Sequence, residues 1–90
     1  MTKSESLGFK AAQWLRDVAD MLERKNAAYG DSLGSPIRMF TTVDPVQLVL
    51  ARAEDKLSRI ARGSSAGEDP VKDLVGYLAL AVAMGWRKET

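Results

Sequence analysis

The sequence contains neither cysteine nor histidine. Without them it builds no disulfide, no thiolate nucleophile, no Ser-His-Asp triad and no zinc site of the usual nitrogen and sulfur ligands. Any chemistry must run on Asp, Glu, Lys, Arg and Tyr, a set that suits a hard, oxygen-seeking cation such as Mg²⁺ better than a soft metal. Aromatic residues are scarce as well, at 7%, so the core lacks its largest side chains. An excess of one charge is also missing. Thirteen basic residues face 12 acidic ones for a net charge of +1, too even a balance for a protein that lives on non-specific DNA contacts, although a local basic patch would still allow nucleic-acid binding. The longest apolar run, Leu74 to Trp86, falls short of the roughly 20 residues that span a bilayer. The opening MTKSESLGFK has no apolar leader core, so the expected location is the cytoplasm.

What is there is the composition of a folded chain, 46% hydrophobic and 28% charged, of a length that makes residues 1–90 a single domain. A chain of this size buries only somewhat over half of its unfolded surface, so partner subunits are an expected source of further burial.

The apolar spacing predicts an all-α fold of three main helices. Leu7, Ala11, Trp14, Leu15, Val18 and Leu22 recur at three- and four-residue intervals and give helix 1 over about 4–28, closed by Gly30. Residues 30–43, GDSLGSPIRMFTTV, form a long loop of the kind that closes over a ligand. Asp44-Pro45 starts helix 2, because Asp accepts hydrogen bonds from free N–H groups and Pro fits the first helical position. Helix 2 runs over 45–62 and stops at Gly63. After the small-residue linker GSSAGE, Asp69-Pro70 repeats the start signal for helix 3, over 70–84. Leu74 to Met84 carries no charge, so helix 3 is expected to be central, buried nearly all round and packed in a homo-oligomer. Trp14, Trp86 and the methionines are assigned to core or subunit interface.

Within helix 2, ARAEDKLSRIARG places Arg52, Asp55, Lys56 and Arg59 on one stripe, while Glu54 falls on the other border of the apolar face. As a plain solvated face, the stripe would pair Asp55 with Arg52 and Arg59. Asp73 changes the weighing. It lies one turn inside a helix that is otherwise apolar, and a buried carboxylate needs a cation. That cation is either Lys56 or Arg59 of helix 2, or a metal ion shared with Asp55, with the basic side chains beside it for phosphate. Asp69, four residues earlier on the same face, reads as a cap. At the end of helix 1, Lys25 and Asn26 are placed to meet a phosphate or a base, and Tyr29 to stack or pack.

The series YGD at 29–31, then Arg52, Asp55, Lys56 and Arg59, then D-x-x-x-DLVGY at 69–77 resembles small phage and bacterial nucleotide-modification-associated domains, related to MazG-type all-α nucleoside triphosphate pyrophosphohydrolases. The resemblance covers about residues 23–82. It implies a helical, oligomeric, Mg²⁺-dependent protein of the bacterial or phage-infected cytoplasm that cleaves a nucleoside triphosphate to the monophosphate and pyrophosphate. By position it makes Asp55, Asp73 and Glu54 the catalytic carboxylates. Asp55 and Asp73 become metal ligands with Asp69 beside them, and Lys25, Arg52, Lys56, Arg59 and Tyr29 become nucleotide contacts. Such enzymes carry E-x-x-E on one helix and E-x-x-D on the next. Here Glu54-Asp55 is followed by Ser58, and Pro70 stands three before Asp73, so a relative that binds nucleotide without turnover is the companion expectation. Two further readings compete. One is a DNA- or protein-binding module using Arg52, Lys56, Arg59 and Arg62 as a contact row. The other is an oligomeric phage assembly or regulatory protein with helix 3 as its interface.

Overall fold

The computed structural model describes residues 6–29, 43–64 and 67–87, with the side chains of 27–29 excepted. It is all-α, with α1 over Leu7–Tyr29, α2 over Pro45–Arg62 and α3 over Pro70–Ala83. The chain divides into two compact units, Met1–Gly30 and Asp31–Thr90. Apart from Val43, the loop expected at 30–43 lies outside the described residues, as does the Gly30 cap.

Among the described residues, the first unit contains α1 alone. Its start is set by Ser6, whose hydroxyl accepts from the Phe9 amide at 3.1 Å and whose carbonyl accepts from the Lys10 amide at 3.1 Å. This cap begins the helix a little later than apolar spacing predicts, because spacing marks a face and the hydroxyl marks an end. Leu7 and Leu15, both members of the expected apolar stripe, stand 83% and 52% exposed. Val18 of the same stripe is, by contrast, only 3% exposed.

In the second unit α2 and α3 pack against each other. Each starts on an Asp-Pro pair. The Asp44 carboxylate accepts from the Val46 amide at 2.8 Å, and that of Asp69 accepts from the Val71 and Lys72 amides at 3.2 and 3.1 Å. Each also stops in the same way. Gly63 takes the left-handed conformation at φ 69°, donating to the Ile60 carbonyl while Ser64 donates to Arg59. Gly85, at φ 102°, donates to Val82 while Trp86 donates to Ala81. A side chain at either glycine would meet the Cβ penalty of that conformation, which Gly lacks. Gly85 ends α3 at Ala83, one residue before the expected stop.

The seam between the two helices is small. Val49 and Ala53 of α2 are buried, as are Asp73, Gly76 and Ala81 of α3. In the single chain, Ala79, Val82 and Ala83 of α3 are exposed. Within this unit α2 covers one side of α3, and one helix shields only part of another's circumference.

Among the described residues no helix is long and apolar enough to cross a membrane.

Candidate functional site

The polar focus of the α2–α3 unit is Lys56. At 3.6 residues per turn, Val49, Ala53, Lys56 and Ile60 follow one line along α2, and Val49 and Ala53 are its buried members. Lys56 therefore continues the line that faces α3. Its ammonium lies 2.7 Å from Glu68 Oε2 and 3.3 Å from Asp73 Oδ2. The three side chains differ in depth. Those of Lys56 and Asp73 are 12% and 9% exposed, whereas that of Glu68 is 54% exposed. Glu68 thus closes the solvent side of a pair otherwise held between helices.

This resolves the question Asp73 raises as a carboxylate in an apolar helix: it is paired directly with Lys56. Asp73 also stands in the first turn of α3, where the helix dipole favours a negative charge. The Lys56 pKa is raised above the ordinary lysine value, chiefly by the hydrogen bond to Glu68; burial opposes the rise, and the hydrogen bond and charge of Asp73 add to it. An ammonium that donates to one carboxylate and neighbours a second is stabilised in its charged form.

The other expected site residues fall into distinct environments. Asp55 accepts from Arg59 Nε at 3.2 Å across one turn of α2, with side chains 54% and 37% exposed. That is a surface pair, worth a few tenths of a kcal/mol. Asp69 is engaged as the α3 cap. Arg62 donates to Ser58 Oγ at 2.6 Å. Arg52 and Glu54 are exposed and make no ion pair among the described residues. Lys25 is exposed on α1, in the other unit, and the Tyr29 side chain lies outside the described residues. Of the row Arg52, Lys56, Arg59 and Arg62, three members therefore already have partners within the unit.

Glu68 is the residue that sequence reasoning missed. It sits at the end of a linker that reads as small-residue spacer. The available signal was its place just ahead of the Asp69-Pro70 start, which returns the chain to α2. Among the described residues no group of three or more carboxylates is placed to hold a metal ion. The chemistry on offer is one shielded ammonium between two carboxylates, with an Asp55–Arg59 pair on the same helix. No family model, no curated protein and no solved structure matches the chain.

Proposed function

We propose that the chain is a nucleotide-handling protein, either a nucleoside triphosphate pyrophosphohydrolase or a relative that binds nucleotide without turnover. The observation that carries the reading is the convergence of Glu68 and Asp73 on the Lys56 ammonium. The resemblance of YGD, R-x-x-DK-x-x-R and D-x-x-x-DLVGY to nucleotide-modification-associated domains gives it its substrate class.

The donor set around Lys56 suits Mg²⁺, since it consists of hard oxygens, and that ion is commonly held by one or two carboxylates together with the phosphates of its substrate. Glu68 and Asp73, the two carboxylates that face Lys56, would hold it. When bound, the ion neutralises charge on the polyphosphate. Lys56 carries three N–H donors and directs two of them at Glu68 and Asp73, so the third serves a phosphate oxygen. Arg59 and Arg52, at neighbouring positions on α2, offset further phosphate charge.

A panel of nucleoside triphosphates, with and without Mg²⁺, tests the reading by thermal shift. A nucleotide present at about 100 times its dissociation constant stabilises the chain by about 2.7 kcal/mol. The exposed variant Glu68→Gln should lose most of the Mg²⁺-dependent part of that shift. If no nucleotide produces a shift under either condition, the reading fails. Release of pyrophosphate then separates an enzyme from a binding relative.

A further inference from the structure

We draw no further inference here: the strongest candidate, the exposed apolar surface at Val71 and Val82 on α3 and at Leu57 on α2, carries nothing because nothing in the structure shows what covers these side chains.

Discussion

Substitution of Lys56 by methionine isolates the energetics of the α2–α3 seam. Lys56→Met keeps an unbranched apolar stem of similar length and removes the ammonium. Asp73 is then left with its side chain 9% exposed and without that cation. Removing one partner of a buried ion pair costs about 3–5 kcal/mol. Glu68, more than half exposed, regains water when the lysine is lost and adds little. The expected loss is therefore about 3 kcal/mol, at the low end of that range because Lys56 itself keeps some contact with water. With a urea slope of about 1.5 kcal/mol/M for a chain of this size, the unfolding midpoint falls by about 2 M. The double variant Lys56→Met/Asp73→Asn removes the charge that faced the ammonium and should regain part of the loss, since an amide is buried at lower cost than a carboxylate that has lost its contact with Lys56. Two results would refute the reasoning. A loss below about 1 kcal/mol in Lys56→Met would mean that Asp73 does not depend on the ammonium. A double variant no more stable than the single one would mean that the cost lies in packing.

The remaining expectations concern pH and the helix ends. Because the Lys56 pKa is raised on folding, its contribution is full below the unfolded lysine value of about 10.4 and is lost as pH rises through the higher folded value. Between pH 9 and 12 the stability difference between the native chain and Lys56→Met should accordingly shrink; a difference that stays constant across that window would contradict the pairing. Asp69→Ala removes the α3 cap and should cost about 1 kcal/mol, and Gly63→Ala, which forces a Cβ into φ 69°, about 1–2 kcal/mol. Denaturant unfolding reads both, and near-zero values would count against these caps.

Much of the α2–α3 unit was legible in the sequence because its signals are local. Asp-Pro and Gly fix helix ends through hydrogen bonds within a few residues, so Pro45–Arg62 matched its expected bounds and Pro70–Ala83 missed by one residue. The need of Asp73 for a cation was legible too, from a carboxylate in an apolar helix. Which cation was not settled. Lys56 and Arg59 share a stripe by spacing, and only the line Val49, Ala53, Lys56 and Ile60 separates them, since Arg59 points about 90° away from it. Glu68 escaped because its partner is 12 positions distant and no periodicity connects a linker residue to a helix face. How much of α3 is covered was likewise not settled by its sequence. An uncharged helix states what it would bury, whereas the amount buried depends on how many neighbours the fold supplies.

The short sequence reach of the Lys56 clasp has a kinetic consequence. Its contacts to Glu68 and Asp73 span one turn and the start of the next helix, so forming them closes only a small loop of chain, an event on the order of 10–100 ns for about ten residues. Proteins dominated by such local contacts fold fast, because little chain entropy is lost before contacts form. The α2–α3 hairpin is thereby the expected folding nucleus. Substitutions along its seam, such as Val49→Ala, should slow refolding in stopped-flow measurements. An effect confined to the unfolding rate would remove the hairpin from that role.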